Sequence, residues 1–297
     1  MCPDRQIRYE GPIYRPPSEA DSLLIQATVG CPHNKCTFCM VYKQGPSFKI
    51  RPVAEIVEDL ETARRQYGAG VRRLFLPAGN TIAMPAADLE KVCRRARRLF
   101  PALERITVYG SCQYIHRKGP EQLKSLRQAG LTRIHVGLET GDGQILKAIR
   151  KGTNPRQQIE AGRWVRQAGI ELHVYVLLGI GGRQRSRQHA RNTARVLNAM
   201  APDCIRLRTF VPKVNTALLR QVLNGSFQML GPHQVLEETG AIVEALKVNC
   251  RLTSDHYTNY IDLEGNLPED IPSLLEKLSE ARKRPEESFR PFFIGTQ

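Results

Sequence analysis

Strand and helix patterns alternate along most of this chain, and that alternation predicts an α/β protein built on parallel strands. Three observations carry the prediction. Short runs rich in Val, Ile and Leu, as expected of strands buried on both faces, recur about every 30 residues, the length of one strand–helix–strand step. Amphipathic segments lie between them, several opening on Pro and stopping at Gly. The 297 residues, 41% hydrophobic and 25% charged, suffice for one large domain of this class or two ordinary ones.

In order, Leu23–Thr28 reads as the first strand. Pro52–Tyr67 follows as a helix with Ile56, Leu60, Ala63 and Tyr67 on one face, stopped by Gly68. Strand Val71–Leu76 leads to helix Pro85–Phe100, and strand Arg105–Tyr109 to helix Pro120–Ala129, ended by Gly130. Strand Arg133–Leu138 leads to a short helix, Gln144–Ile149, and a longer one, Pro155–Ala168, ended by Gly169. Strand Glu171–Leu177 precedes helix Ser186–Met200, and strand Cys204–Phe210 precedes helix Pro232–Leu246. No internal repeat accompanies these six units, so a barrel or a doubly wound sheet is expected and a solenoid is not. In either architecture the chemistry sits where loops leave the C-terminal ends of the strands.

Charge points weakly to nucleic acid. The net charge is +15, with 32 arginines among 44 basic residues. The densest basic stretch, Arg94-Arg95-Ala96-Arg97-Arg98, interleaves with Leu89, Val92, Cys93, Ala96, Leu99 and Phe100 at helical spacing, which predicts a solvated helix face. No stretch alternates basic and aromatic residues as single-strand binders do. The longest nearly apolar run, Leu172–Gly182, is 11 residues and contains His173, too short to span a bilayer. Met1–Glu10 has charges and no hydrophobic run, so no secretory leader is expected and a cytoplasmic location is.

Eight cysteines in such a chain are more suited to metal binding or reactivity than to disulfides. Cys2, Cys93, Cys112, Cys204 and Cys250 are scattered, whereas Cys31, Cys36 and Cys39 fall within nine residues, just after the first strand. Three local thiolates suit either zinc, with His33 as the nearest fourth ligand, or a [4Fe–4S] cluster with one iron left open. A closed four-thiolate electron carrier lacks an obvious fourth cysteine.

The loop Cys31-x4-Cys36-x2-Cys39, with Phe38 before the last cysteine, resembles the signature of radical S-adenosylmethionine (SAM) enzymes, one residue longer than the commonest C-x3-C-x2-C spacing. Pro77-Ala78-Gly79-Asn80 resembles the glycine-rich turn whose carbonyls hold the methionine amino group, with Asn80 in place of the usual acidic residue. Val136-Gly137-Leu138-Glu139-Thr140-Gly141-Asp142, running on to Leu146 and Lys151-Gly152, resembles the segment that binds the ribose and amino-acid ends of SAM. Val176–Gly182 resembles the turn under the adenine, and Arg206–Pro212 the sixth strand and its exit. Ser254–Tyr260 resembles a tail motif of the coproporphyrinogen oxidase-like and elongator-like groups.

This resemblance implies a partial (β/α)6 TIM-like barrel, with an N-terminal extension over 1–22, a core over 23–248 and a C-terminal extension over 249–297 that closes the barrel. It implies a [4Fe–4S] cluster on Cys31, Cys36 and Cys39, and SAM held by Phe38, Gly79, Asn80, Glu139, Lys151, Gly179, Ile180, Arg208 and Val211. His256 and Tyr260 are expected beside an organic, anionic substrate, from which a 5′-deoxyadenosyl radical takes hydrogen. An electron donor such as a flavodoxin or ferredoxin is the implied partner. An RNA-modifying radical SAM enzyme is the alternative within the class, and a zinc-bearing nucleic-acid binder without catalysis the alternative outside it.

Overall fold

A computed structural model describes residues 6–296; the first five, Cys2 among them, and Gln297 lie outside the described residues. The chain divides into two compact units, the first comprising Met1–Asn34, Val41–Val136 and Trp164–Glu171, the second Lys35–Met40, Gly137–Arg163 and Leu172–Gln297.

In the first unit the elements are β1 (Leu23–Leu24), β2 (Thr28–Val29), β3 (Lys49–Ile50), α1 (Val53–Tyr67), β4 (Arg73–Leu76), α2 (Ala86–Leu99), β5 (Arg105–Gly110), α3 (Cys112–Ala129) and the start of β6 (Arg133–Glu139). Strands β1, β4, β5 and β6 are parallel neighbours in that order, with Leu23 opposite Leu74, Leu74 opposite Ile106, and Val108 opposite Ile134. These residues are apolar because a parallel strand covered by helices has no solvated face. Helices α1 and α2 contribute Ile56, Leu60, Ala63, Leu89, Val92, Cys93 and Ala96, all buried. Arg94 and Arg98 are exposed, and Arg97 donates to the carbonyl of Leu103 at 2.5 Å. The basic run is therefore the solvated helix face its spacing predicts.

Two expected elements differ. The strand read as Leu23–Thr28 is broken: β1 pairs with β4, whereas β2 pairs antiparallel with β3. The chain leaves the parallel sheet at Gln26, whose side chain bonds both the N–H and the C=O of Glu10, at 2.7 and 2.8 Å. The helix expected from Pro120 starts at Cys112 instead. Gly119 (φ +73°) interrupts it, so Pro120 opens a second piece after a kink.

The N-terminal segment is anchored by a buried carboxylate. Glu19 is fully buried, accepts from Ser22 Oγ at 2.7 Å and Arg133 at 2.9 Å, and lies 3.3 Å from His135 Nε2. Burial alone would raise its pKa, but hydrogen bonds from His135, Ser22 and Arg133 outweigh it and hold the carboxyl at about 2. A depressed carboxylate contributes stability above its unfolded pKa and loses it as pH falls. Glu19→Gln is expected to cost about 3 kcal/mol at pH 7, the free energy that holds this carboxyl at about 2 and not near its ordinary 4.5. The gap to the parent should close as pH falls from about 4.5 towards 2. Urea unfolding of both proteins at pH 7 and pH 3 checks this; an equal gap at both contradicts it.

The second unit takes the end of β6, then α4 (Gly143–Ala148), most of α5 (Pro155–Gln167), β7 (Glu171–Leu178), α6 (Gly182–Met200), β8 (Cys204–Thr209), α7 (Ala217–Leu223), α8 (Pro232–Ala245), β9 (Cys250–Thr253), β10 (Glu264–Leu267) and α9 (Ile271–Arg282). Strands β7, β8 and β9 are parallel, with Leu178 opposite Thr209 and Ile205 opposite Leu252, and β10 turns back antiparallel on β9. Helix α8 packs on α6 and α9. The stretch 249–297, read from sequence only as an extension, thus adds two strands and a helix. Strand β9 is four residues long and carries the exposed Arg251, too short and too interrupted to announce itself. Among the described residues no helix is long and apolar enough to cross a membrane.

Candidate functional site

Most predicted site residues lie at or just after the C-terminal ends of strands, Lys151 instead following α4, and each unit holds its own share. In the first unit, Cys31 follows β2 and Gly79 follows β4. The Gly79 N–H donates to the carbonyl of Gly30 at 3.1 Å, so the two turns are bonded to each other. A Cβ at Gly79 would stand 2.6 Å from the Tyr42 ring and 2.9 Å from Cys31 Cβ; only glycine lets the turn come this close. Its neighbour Ala78 has φ +98°, a strained conformation for a residue with a side chain. Asn80 is buried and its amide is spent, donating to Ser111 Oγ at 2.9 Å and accepting from the Ser111 N–H at 3.0 Å. It braces the β4 exit against the β5 exit.

In the second unit, the loop Lys35–Met40 is seated by two backbone bonds, Thr37 N–H to the carbonyl of Ile149 and Leu218 N–H to the carbonyl of Thr37, both 3.0 Å. Phe38 packs against the buried cluster Ile145, Ile149, Ile180, Phe210 and Leu218. Glu139 ends β6 with φ +65°, another non-glycine residue in the left-handed region. Its carboxylate accepts from Lys151 Nζ at 2.6 Å, with both side chains largely buried, and the same ammonium lies 5.8 Å from the centre of the Phe38 ring. Phe38, Glu139, Lys151 and Ile180 are thereby brought together.

Further along, Arg208 leaves β8 with its Nε buried and no hydrogen-bond partner. Arg206, on the same strand, pairs with Asp255 at 2.6 Å. Burial, then the nearby charges of Arg208, Arg206 and Lys213, pull the His256 pKa down to about 4, so its imidazole is neutral at pH 7. His256 Nδ1 lies 2.8 Å from Thr258 Oγ1. Val211 and Tyr260 share the wall of a cavity of about 140 Å³ with Phe210, Leu230, Arg290 and Phe293, and the Arg290 guanidinium stacks on the Tyr260 ring at 4.3 Å. Burial raises the Tyr260 pKa. His256 thus stands with Arg208, whereas Tyr260 stands with Val211. Asp255 and Arg290 complete these groups. Only the match of Ser254–Tyr260 to a tail motif hinted at Asp255; nothing in the sequence marked Arg290.

By donor chemistry the three thiols suit an iron–sulfur cluster, although among the described residues no three His, Cys, Asp or Glu side chains are placed together as a metal site. Cys31, Cys36 and Cys39 are half-buried thiols on one loop, whereas burial pushes Cys93 and Cys250 up to about 12, which removes their thiolates at neutral pH. The unpartnered Arg208 Nε suits a carboxylate, whereas in the Gly79 turn the Pro77 and Asn80 carbonyls already accept from Thr81 Oγ1 and the Ala83 N–H, both at 2.9 Å.

The profile of the radical SAM superfamily matches residues 25–194. Biotin synthase from Rippkaea orientalis is 25% identical over 274 residues, covering 84% of this chain and 71% of that protein. Anaerobic magnesium-protoporphyrin IX monomethyl ester cyclase from Cereibacter sphaeroides is 23% identical over 194 residues, 65% of this chain and 31% of that one. The chain spans about a third of the length of the first curated relatives it matches. Among solved structures, coproporphyrinogen III oxidase from Escherichia coli superimposes with a TM-score of 0.54 at 16% identity, covering 75% of this chain and 52% of that one. The fold is the α/β, TIM-like partial barrel of that class.

Proposed function

Because this chain belongs to the radical SAM superfamily, we propose that Cys31, Cys36 and Cys39 carry its cluster and that the turns around them hold SAM against an organic anion. The chain is a radical SAM enzyme, with a [4Fe–4S] cluster and SAM as cofactors. Bound together, these supply reductive cleavage of a carbon–sulfur bond, giving methionine and a 5′-deoxyadenosyl radical. The protein's residues bind, orient and exclude water.

The carbonyls of the Gly79 turn accept the amino group of SAM. Glu139, fixed by Lys151 and by its own backbone, receives hydroxyl donors of the ribose. Phe38 and Ile180 wall the site with apolar surface, and the Gly179 turn and Val211 flank the adenine. Arg208 receives a carboxylate, either that of SAM or that of the substrate. His256, neutral at pH 7, donates or accepts a hydrogen bond without adding charge. An external electron donor of the flavodoxin or ferredoxin type completes the reaction.

The anionic substrate is supported by one observation, the buried Arg208 Nε without a partner on a strand exit shared with Arg206, His256 and Lys213. With the reconstituted enzyme, small carboxylates should raise 5′-deoxyadenosine formation above the substrate-free rate, and their neutral amides should not. Equal stimulation by amides contradicts the reading. Tyr260→Phe is expected to spare cluster content and SAM affinity while slowing substrate turnover at least fivefold, as quantified from product and 5′-deoxyadenosine in the same samples. Unchanged turnover removes Tyr260 from the substrate side.

A further inference from the structure

Two buried titratable groups, His189 on α6 and Glu238 on α8, play no part in the chemistry above. Both are essentially inaccessible to solvent. Glu238 Oε1 accepts from the Gly179 N–H at 2.7 Å, and its Oε2 accepts from Ser186 Oγ at 2.5 Å. His189 Nε2 faces the same carboxylate at 3.5 Å. On its other side, His189 Nδ1 meets the hydroxyls of Thr140 at 2.8 Å and Thr193 at 3.2 Å. Those hydroxyls in turn accept backbone amides, Thr140 from Asp142 at 3.0 Å and Thr193 from Gly141 at 2.9 Å. Burial lowers the His189 pKa, which favours the neutral imidazole.

A run of buried polar groups therefore links the turn after β7 to the loop after β6, its middle step the 3.5 Å approach of His189 Nε2 to the Glu238 carboxylate, which is not itself a hydrogen bond. Gly179 (φ +77°) lies at one end and the Gly141 and Asp142 amides at the other. A buried carboxylate is costly unless fully hydrogen-bonded, and nothing in fold stability alone requires one to end on a cofactor-turn amide. Gln158 adds a second brace, donating to the carbonyls of Leu138 and Thr140, each at 3.1 Å.

We infer that His189 and Glu238 are positioning residues that set the two SAM-binding turns relative to each other, so that SAM affinity depends on a polar chain SAM does not touch. The inference rests on the proposal that Glu139 and the Gly179 turn hold SAM. Small displacements of a positioning network are amplified at the ligand because the bound geometry tolerates little error.

The test uses the reconstituted full chain, with SAM as the probe in anaerobic equilibrium dialysis and backbone amide exchange followed by mass spectrometry. Glu238→Leu should raise the SAM Kd at least tenfold at unchanged iron and sulfide content, and should speed exchange in the peptides over 140–142 and 178–182. Glu238→Gln keeps an acceptor for the Gly179 amide and should bind SAM within threefold of the parent. Should Glu238→Leu fail to fold, Thr193→Val, which deletes only the hydroxyl under Gly141, should raise the Kd at least fivefold. SAM affinity within twofold of the parent in a folded Glu238→Leu or Thr193→Val protein overturns the inference, as does a Glu238→Gln protein that binds as poorly as Glu238→Leu. If Glu139→Ala leaves SAM affinity unchanged, the reading beneath the inference fails instead.

Discussion

Alanine at Cys31, Cys36 or Cys39 is expected to remove nearly all cluster iron, taking the reconstituted protein from about four irons per chain to below one. Two thiolates cannot close a cluster whose fourth iron is already reserved for SAM, so each replacement should act alone and fully. Cys93→Ala provides the contrast. Cys93 is completely buried in α2 with its thiol pushed up to about 12 by burial, and it packs as a small apolar side chain. Its loss should lower stability and leave iron, sulfide and visible absorbance unchanged. Metal analysis of the four proteins decides the matter. Iron retained by any of the three loop variants, or lost from Cys93→Ala, contradicts the assignment.

The second large effect belongs to the Glu139–Lys151 pair. At 2.6 Å, with side chains only 14% and 11% exposed, the two charges are mostly withdrawn from water and depend on each other. Removing one partner of such a pair typically costs about 3–5 kcal/mol, because the survivor keeps its charge and loses its compensation. A Cβ on Gly137 would strike both the Glu139 carboxylate and the Lys151 ammonium, so the pair has no room to relax towards that side. Lys151→Met is therefore expected both to lower the unfolding midpoint and to weaken SAM binding at least tenfold, since Glu139 no longer keeps its place. Glu139→Gln keeps the shape, loses the charge, and should weaken SAM binding by a similar factor with a smaller loss of stability. Calorimetric titration of SAM into each reconstituted variant, paired with thermal unfolding, separates the two effects. SAM affinity within twofold of the parent in both variants would remove Glu139 from the site.

What the sequence disclosed followed from period and local spacing. The Val/Ile/Leu runs located the strands of the parallel sheet because burial on both faces leaves them no polar alternation. The cysteine spacing and the Gly79, Glu139 and Gly179 turns were legible because each is a local motif on a strand exit. The break between β1 and β2 was not, since it depends on Gln26 reaching the Glu10 backbone and on β3 supplying a different partner. The His189–Glu238 chain joins residues 49 positions apart in sequence and leaves no periodic trace. Strand β9 went unseen because its edge is completed by β8 and β10 and not by its own composition.

The most direct test of the account is anaerobic reconstitution with iron and sulfide, followed by SAM and a strong reductant, with metal content and 5′-deoxyadenosine measured on the same protein. A brown protein with about four irons per chain that releases methionine and 5′-deoxyadenosine is the predicted result. A colourless protein holding one zinc per chain, with SAM intact after reduction, would contradict it.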